Sequence, residues 1–539
     1  MICFACLLLQ SNYGIINKNI VFMGFVCLFL GGNMKRIWNM ITKKAFVATI
    51  LLAIEIFLVI IMMLILGRLF IVFGIFLYIV SLITILFVVN DMGNPAYKIS
   101  WIISIILIPF AGAVLYIIFG KKHTTKNMKK KFNYIDAHGR ECMKDMKNNV
   151  DNLHVYYNCK QIIDWIWNVS RQTSYSNTLT EFLSPGDVYF ERLIEDLKLA
   201  KKNIFMEFFI IHPGKMWNKV VDILVSKVKE GIDVRLIYDD FGTIASLPVD
   251  YPEYMEKLGI RTKVFNIIKP RLDAFMNNRD HRKIVVIDGN VSYTGGINLA
   301  DEYINEIERF GYWQDCGIRL EGDATASFTI LFLRMWHYLS GEKSYYQDYM
   351  PTKKIKVPGV VVPFGDNPIR DHNLHDSTYL KIITCAKRYV YIETPYLVMD
   401  YELTSALIFA AESGVEVVII TPHIPDKLYV HALTRSSYKK LIKAGVKIYE
   451  FTPGFIHSKI ILCDDLIAVV GTANFDFRSL YLHFECSVLL YKTESIKQIY
   501  SDFKRIVGES QEITLEKCKH RSWFQKLLGF VLRPFAPLM

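Results

Sequence analysis

The sequence lacks the features that mark secreted and metal-dependent proteins. Its ten cysteines are scattered, which argues against a disulfide framework and fits a reducing compartment. The single C-x-x-C pair, Cys3 and Cys6, lies in an apolar setting and has no second pair to complete a zinc site. No carboxylate cluster or cysteine and histidine ligand set suggests a metal, and no nucleic-acid-binding module is recognisable. The sequence therefore predicts no metal and no cofactor.

Hydrophobic residues, by contrast, are abundant. They make up 52% of the chain, and the mean hydropathy of +0.24 is high for a soluble protein. A length of 539 residues predicts two or three domains. The net charge of +11 suits nucleic acid and anionic lipid equally well, so membrane segments must decide between them.

Three apolar stretches of about twenty residues occupy the first quarter of the chain, at about 45–66, 69–89 and 99–119. Each has the length that a hydrocarbon core of roughly 30 Å requires of a helix. Glu55 lies in the middle of the first stretch and is expected to face another helix or a thinned interface. Pro109 in the third stretch is expected to be a tolerated kink.

Basic residues flank this membrane segment on both sides, and their positions conflict. Lysines after the third stretch predict a cytoplasmic location for the rest of the chain, but basic residues before the first stretch predict a cytoplasmic N-terminus as well. Three full crossings cannot satisfy both, so one of the first two stretches is expected to be re-entrant or interfacial, or the N-terminus lies outside. The residues are Lys35, Arg36, Lys43 and Lys44 before, and Lys121, Lys122, Lys126, Lys129, Lys130 and Lys131 after.

Polar residues recur in two copies of one motif at the same internal spacing. The apolar run after each lysine is typical of a buried strand, so each histidine and lysine, two residues apart, face the same side of an extended segment. The first copy is His281, Lys283, Asp288 and Asn298, and the second is His457, Lys459, Asp464 and Asn474.

Sequence similarity between the two copies extends well beyond the motif. Glycine and glutamate landmarks recur in the same order, and each half reads as helix, strand, helix, strand, short helix, strand and motif strand. We therefore predict two pseudo-symmetric α/β halves, each with helices covering a mixed sheet. The landmark pairs are Glu207 and Glu393, Gly231 and Gly414, and Gly259 and Gly445.

A histidine beside a lysine suits a phosphate group. The ammonium neutralises the oxyanion, and the imidazole attacks phosphorus or transfers a proton. One copy alone could be a strand with two exposed polar residues, but two complete copies favour chemistry. Two motifs that meet at a pseudo-twofold axis provide one histidine on each side of the phosphate, with lysines and asparagines to hold its oxygens.

The paired His-x-Lys-x4-Asp motifs resemble those of the phospholipase D superfamily. The stretches 278–289 and 471–480, with the apolar segments ahead of them, resemble bacterial cardiolipin synthases in particular. This resemblance implies two phospholipase D-like halves and a metal-free site. It also implies that Asp315 and Glu485 orient the histidine of the opposite half.

The family also counts Asp288 and Asp464 in the motif, and they are grouped here with the catalytic residues. The position of each after a motif strand nevertheless favours a structural role, in which the carboxylate binds backbone amides. The two asparagines, Asn298 and Asn474, are expected to bind or orient the phosphate.

The resemblance implies transfer of a phosphatidyl group between two phosphatidylglycerol molecules, giving cardiolipin and glycerol through a phosphohistidine. His281 is favoured as the nucleophile, although the near-symmetry leaves the two roles interchangeable. The expected partners are phosphatidylglycerol and anionic membrane lipid, not nucleic acid, and a homo-oligomer is left open. The alternatives are a membrane-bound phospholipase D that uses water, a membrane-tethered phosphodiesterase or nuclease, and an inactive scaffold.

These expectations divide the chain into six parts and place it in the bacterial cell membrane as a multi-pass protein with a cytoplasmic catalytic domain. The first part is expected to be an upstream extension, because basic residues follow Met34 as at a start site; a signal peptide is the alternative. The tail is expected to be an interfacial helix or a helix packed on the domain. The parts are the extension 1–33, a membrane domain 34–120, a basic linker 121–175, halves 176–350 and 351–510, and a basic amphipathic tail 511–539.

Overall fold

The computed structural model describes residues 53–61, 67–120, 126–142, 157–268, 277–370 and 372–538. The predicted extension, the basic residues before the first apolar stretch and most of that stretch lie outside the described residues. Residues 53–61 are helical, and Glu55 is half-buried there. Helix α1, Gly67–Asn90, contains a 20-residue stretch that is long and apolar enough to cross a membrane, the one such helix in the described ranges.

The third apolar stretch is not one kinked span, as the sequence predicted. It forms two short helices, α2 (Pro95–Leu107) and α3 (Pro109–Phe119), with a break at Ile108 (φ −136°, ψ 79°). The prediction of a tolerated kink is wrong because Pro109 excludes Ile108 from the helical region and the chain reverses there. Neither helix is long enough to cross a bilayer.

The two short helices run antiparallel to each other, and both pack on α1. We call α2 and α3 the apolar hairpin. The rings of Trp101 and Tyr116 lie 5.6 Å apart, edge to face. A Cβ at Gly112 would lie 2.7 Å from the Ser104 carbonyl oxygen, so only glycine permits this close approach of the helices. The start of α2 and the end of α3 consequently lie at the same end of the hairpin, opposite to the turn at Ile108.

The first half is a seven-stranded mixed sheet flanked by helices. Its strand order is β1-β8-β6-β5-β2-β3-β4, with β2, β3 and β4 parallel and the remaining pairs antiparallel. Its strands are β1 Thr178–Leu183, β2 Asn203–Phe208, β3 Asp233–Asp239, β4 Arg261–Phe265, β5 Ile284–Ile287, β6 Val291–Gly295, β7 Tyr312–Gln314 (outside the sheet) and β8 Gly317–Gly322. Its helices, preceded by α4 Lys126–Cys142 and α5 Tyr157–Ser170, are α6 Gly186–Leu199, α7 Lys215–Lys229, α8 Asp240–Thr243, α9 Tyr251–Lys257 and α10 Thr325–Ser340, with 3₁₀ turns Asp301–Ile304 and Tyr346–Tyr349.

The second half repeats this order with one added edge strand, β19-β13-β12-β10-β15-β16-β18-β9. The predicted pair of α/β halves is therefore confirmed. Its strands are β9 Val360–Asp366, β10 Tyr389–Glu393, β11 Leu397–Val398, β12 Glu416–Pro422, β13 Lys447–Phe451, β14 Gly454–Ile456, β15 Ile460–Cys463, β16 Ile467–Gly471, β17 Phe475–Asp476, β18 Glu485–Tyr491 and β19 Ser510–Glu512. Its helices are α11 Leu374–Cys385, α12 Tyr401–Glu412, α13 Leu428–Lys443, α14 Phe477–Tyr481, α15 Ser495–Gly508, α16 Leu515–Lys519 and α17 Trp523–Leu532, followed by a 3₁₀ turn Arg533–Leu538.

One shared hydrophobic core joins the two sheets. Residues of both motif strands, such as Ile284 on β5 and Ile460 on β15, belong to it, together with Phe332 of α10 and Phe503 of α15. Strands β7 and β14 also pair in parallel across the two halves. Burial of this much apolar surface between the sheets fixes the motif strands relative to each other.

Helices from the predicted linker pack on the catalytic halves. Phe132 of α4 stacks on Tyr338 of α10 at 4.1 Å between ring centroids, and Ile162 and Ile166 of α5 are buried in the core of the second half. This part of the segment 121–175 is therefore integral to the fold. We find the tail packed as well: α17 lies on α13, and the Ser100 hydroxyl of the hairpin donates to the Pro534 carbonyl at 2.6 Å.

Candidate active site

Each motif histidine lies just before its motif strand and is tied to the opposite half. The His281 backbone N–H donates to the Phe484 carbonyl at 2.9 Å, and the His457 N–H donates to the Gln314 carbonyl at 2.7 Å. Both side chains are buried. These matching bonds define the pseudo-twofold relation: Phe484 corresponds to Gln314.

The predicted carboxylates meet these histidines across the interface between the halves. The His281 Nδ1 lies 2.9 and 3.0 Å from the two carboxylate oxygens of Glu485, and the His457 Nδ1 lies 2.7 Å from Asp315 Oδ2. A carboxylate on Nδ1 fixes the tautomer, so Nε2 carries the lone pair that can attack or accept a proton. Each half therefore supplies the acid for the histidine of the other.

In the first pair, His281 and Glu485, the pKa values of both groups lie well below neutral pH. Burial lowers the pKa of His281 to about 3 despite the nearby Glu485. Burial raises the pKa of Glu485, but His281 and His483 outweigh it and hold that pKa well below its usual range. At neutral pH the pair is thus a neutral imidazole on an ionised carboxylate.

The second pair differs. Burial raises the pKa of Asp315 to about 7, only partly offset by the Lys459 charge. Burial, with the charges of Lys459 and Lys283, holds the pKa of His457 well below its usual range. The near-symmetrical sequences therefore build two electrostatically unequal sites.

The motif lysines are buried cations that a phosphate would stabilise. Burial lowers the pKa of Lys459 to about 7 and that of Lys283 to about 8. The Lys283 Nζ donates to the His281 carbonyl at 2.7 Å, and the Lys459 Nζ donates to the His457 carbonyl. A bound phosphate restores the charged form of both lysines, because an opposite charge nearby raises the pKa of a lysine.

The two predicted asparagines are not equivalent. Asn298 accepts from the Ile210 N–H at 3.0 Å and donates to the Tyr303 hydroxyl at 2.7 Å. Asn474 donates to Asp476 at 3.1 Å, and its buried Oδ1 has no hydrogen-bond partner within the described ranges. The amide of Asn298 is consequently hydrogen-bonded on both sides within its own half, whereas the Oδ1 of Asn474 is an acceptor without a partner in the described part of the chain.

Asp288 and Asp464 follow the ends of the motif strands opposite to the histidines, and their contacts fit the structural role expected for them. Both lie after the far ends of β5 and β15, with φ of 55° in the left-handed region. The Asp288 carboxylate accepts from the N–H groups of residues 201–203, and that of Asp464 from residues 387–389. Each carboxylate accepts hydrogen bonds from backbone N–H groups at the point where the chain leaves a helix and begins β2 or β10, as a structural role requires.

Several side chains beside the histidines were missed at the sequence level. Arg282, between His281 and Lys283, forms a buried ion pair with Glu207 at 2.7 Å. His483 lies 5.5 Å from His281, ring to ring, and Trp313 lies 5.4 Å from His457. In the sequence His483 and Trp313 each stand two residues before the acid of their half, but only the structure shows that they lie beside the histidines.

The fold and the paired histidine sites define a phospholipase D-like enzyme. A family model described as cardiolipin synthase, PLD-like domain, matches residues 193–309 and 379–507, and a model for a phospholipase D-nuclease N-terminal segment matches residues 76–121. The chain belongs to the bacterial cardiolipin synthase family of the phospholipase D superfamily and is a phosphatidyltransferase.

Known proteins that resemble the chain over most of its length support this assignment. A cardiolipin synthase of Alkalihalophilus pseudofirmus is 33% identical over 83% of this chain and 90% of its own length. Cardiolipin synthase 2 of Bacillus anthracis is 33% identical over 83% and 87%. An uncharacterised protein of Streptococcus mutans is 40% identical over 85% and 99%. The fold is similar to that of phosphatidylserine synthase from Haemophilus influenzae, with a TM-score of 0.54 and 15% identity over 70% of this chain and 97% of that one.

Proposed function

We propose that the protein is a cardiolipin synthase that transfers a phosphatidyl group from one phosphatidylglycerol to another and releases glycerol. The observation that carries the proposal is the pair of buried histidines, each held through Nδ1 by a carboxylate of the opposite half. Cardiolipin synthase relatives covering 83% of this chain support the choice of lipid substrates. Exchange of one phosphodiester for another needs no nucleotide.

In the first step the Nε2 of His281 attacks phosphorus, and the bond from phosphorus to the glycerol oxygen breaks. The bound anionic diester raises the pKa of His457, so this histidine enters the step protonated on Nε2. It gives that proton to the glycerol oxygen, so glycerol leaves neutral and a phosphohistidine remains. The ionised Glu485 on Nδ1 of His281 offsets the positive charge that this intermediate develops, which supports His281 as the nucleophile.

In the second step a glycerol hydroxyl of another phosphatidylglycerol approaches the same phosphorus. His457 takes the hydroxyl proton, the oxygen attacks, and the bond from phosphorus to Nε2 of His281 breaks. The products are cardiolipin and the free enzyme. Lys283 and Lys459 neutralise the oxygens of the phosphate throughout. The Asn474 Nδ2, which gives one N–H to Asp476, is the further donor proposed to orient the phosphate with its second N–H.

Purified enzyme in vesicles of radiolabelled phosphatidylglycerol tests the proposal. Cardiolipin and free glycerol should appear in equal amounts without nucleotide. Phosphatidic acid without cardiolipin would assign the protein to the hydrolytic phospholipases D instead. Cleavage of DNA with no lipid turnover would assign it to the nucleases.

The proposal extends to the arrangement of the protein in the bilayer. The apolar hairpin enters and leaves on one side, so it adds no crossing after α1. If the stretch 45–66 crosses once and α1 crosses back, both basic clusters reach the cytoplasmic side. The conflict between the two clusters then disappears, and the catalytic halves are cytoplasmic.

A further inference from the structure

The tail helix α17 carries an exposed apolar stripe that the fold leaves uncovered. Its members recur at helical spacing along one face. The opposite face is packed: a Cβ at Gly529 would lie 2.9 Å from the Ala432 carbonyl of α13. The stripe consists of Trp523 (72% exposed), Phe524, Leu527, Phe530 (78%) and Val531.

Two contacts make this stripe continuous with the apolar hairpin. The Ser100 hydroxyl of α2 donates to Pro534 just after α17, and Leu538 packs against the cluster that holds Trp101 and Tyr116. The hairpin itself exposes apolar side chains such as Ile106 and Ile117. Lys519, Arg521, Lys526 and Arg533 flank the stripe with positive charge.

We propose that α17 lies in the membrane interface, with its aromatic stripe among the lipids of the leaflet that the hairpin enters. The surface that covers the stripe is that of an anionic bilayer, because the stripe adjoins apolar membrane-type helices and is bordered by cations. The tail thereby holds the second half against the membrane. This inference rests on the proposed membrane setting but not on the proposed reaction.

A fluorophore on a Phe530→Cys variant of the full chain, reconstituted in phosphatidylglycerol vesicles, tests the placement. We expect its emission to shift to the blue and to be quenched at least several-fold more by lipid-borne nitroxide than by aqueous iodide. The matched control is Leu199→Cys, an exposed apolar position on α6 of the first half, where iodide should dominate. Unmodified protein treated with the same reagent gives the background from native cysteines.

Dominant quenching of the Phe530 position by iodide would overturn the proposal. Protection from both quenchers, with concentration-dependent self-association in detergent, would also overturn it in favour of a second copy as the occupant. The readout requires no turnover, so it is independent of whether the enzyme makes cardiolipin.

A separate observation concerns His483, which occupies the position of Trp313 in the other half. The equivalence follows from the backbone bonds of the motif histidines to Phe484 and Gln314, the residues that come next in each copy. His483 is 91% buried, and neither ring nitrogen has a hydrogen-bond partner within 3.5 Å in the described ranges. Its Nδ1 lies 3.7 Å from Glu485 Oε1.

We infer that His483 is a positioning residue that donates its Nδ1–H to Glu485 and keeps this carboxylate directed at His281. Glu485 would then sit between two imidazoles and the hydroxyl of Thr472, which already donates to it. In the other half the indole of Trp313 can donate a hydrogen bond but cannot titrate. The inference rests on the proposed function, because it concerns the same site.

The pH dependence of kcat/KM separates this role from a structural one. Glu485 faces His281, His483, Lys283 and Lys459, and His483 itself also faces Arg478 and Asp476. Loss of the His483 hydrogen bond raises the pKa of Glu485. The first proton of the acid limb belongs to Asp315, so the further steepening of that limb, where Glu485 takes up a second proton, should begin at higher pH in His483→Leu. We expect kcat to fall roughly ten-fold with little change in KM, as for other residues that orient a catalytic imidazole.

The control variants are His483→Asn, which keeps an N–H donor and should recover most of the activity, and Trp313→Phe. The Trp313→Phe variant should affect only the first proton of the limb, because Trp313 lowers the pKa of Asp315 and not that of Glu485. The inference is overturned if His483→Leu is folded by circular dichroism and its acid limb steepens at the same pH as in the wild type, or if the Asn variant is no better than Leu. Wild-type activity that is lost on chelation and restored by Zn²⁺ would also overturn it, because His281, His483 and Glu485 could then hold a metal ion.

Discussion

At the scale of single residues, the pKa values of both catalytic histidines are lowered, and the difference lies in the pKa of the carboxyl group that each one contacts. His281 has a firmly ionised carboxylate on Nδ1, whereas the carboxyl partner of His457 has a pKa of about 7. This difference supports the proposed roles, covalent chemistry at His281 and proton transfer at His457. The asymmetry is testable because the two roles leave different species on the enzyme.

Enzyme incubated with ³²P-labelled phosphatidylglycerol and quenched in denaturant at mildly alkaline pH, where the phosphorus–nitrogen bond survives, should distinguish the roles. His457→Ala should retain slow formation of a phosphohistidine, because its nucleophile is intact. His281→Ala should form none, and both variants should lose about 10²-fold or more in cardiolipin synthesis. Label retained in His281→Ala and absent from His457→Ala would reverse the assignment.

The pH dependence of kcat/KM reports the free enzyme, and we expect a bell with its maximum near pH 7. Below pH 7 Asp315 is protonated and no longer holds His457, because burial raises its pKa to about 7. Above pH 7 Lys459 loses its charge, because burial lowers its pKa to about 7.

The control for this profile is kcat at saturating substrate. Bound phosphate raises the pKa of Lys459, so the alkaline limb of kcat should lie at higher pH than that of kcat/KM. Coincident alkaline limbs would contradict the assignment of that limb to the lysine.

At the scale of single elements, each motif strand is held in place at the end opposite to its histidine by an aspartate. The Asp464 carboxylate accepts three backbone N–H bonds where β10 begins. Asp464→Ala should lower the free energy of unfolding by roughly 1–3 kcal/mol, because buried donors lose their partner. Chemical denaturation of the catalytic part in detergent measures this loss.

The matched control is Asp222→Ala, at an exposed position of α7, which should change stability by less than about 0.5 kcal/mol. Folded Asp464→Ala enzyme should keep a kcat close to that of the wild type at low temperature. A kcat reduced 10²-fold in stable protein would instead support the grouping of Asp464 with the catalytic residues.

The elements also show what the sequence could predict and what it could not. The spacing of the motif and the apolar run after each lysine were sufficient to predict the strands β5 and β15, because a short continuous apolar run is a local signal. The reversal at Ile108 was missed because hydropathy sums residues over a window and carries no direction. His483 was missed because its equivalence to Trp313 depends on cross-half bonds between residues roughly 140 to 200 positions apart.

At the scale of the whole molecule, the proposed membrane setting places the hairpin, α1 and the tail at the bilayer. We expect epitope tags before Lys35 and after Met539 to be protected from protease in intact cells and digested after permeabilisation. A tag inserted between residues 66 and 67 should be digested from outside. A tag at the C-terminus that is digested in intact cells would contradict this topology.

The exchange of Asp315 and Glu485 between halves has a consequence for the origin of the chain. One half carries a histidine whose acid belongs to another copy, so an ancestral single unit would have been complete only as a symmetrical pair. Fusion of two copies makes that pairing intramolecular and independent of protein concentration. It also releases the copies from identity, and Trp313 opposite His483 is one place where they have diverged.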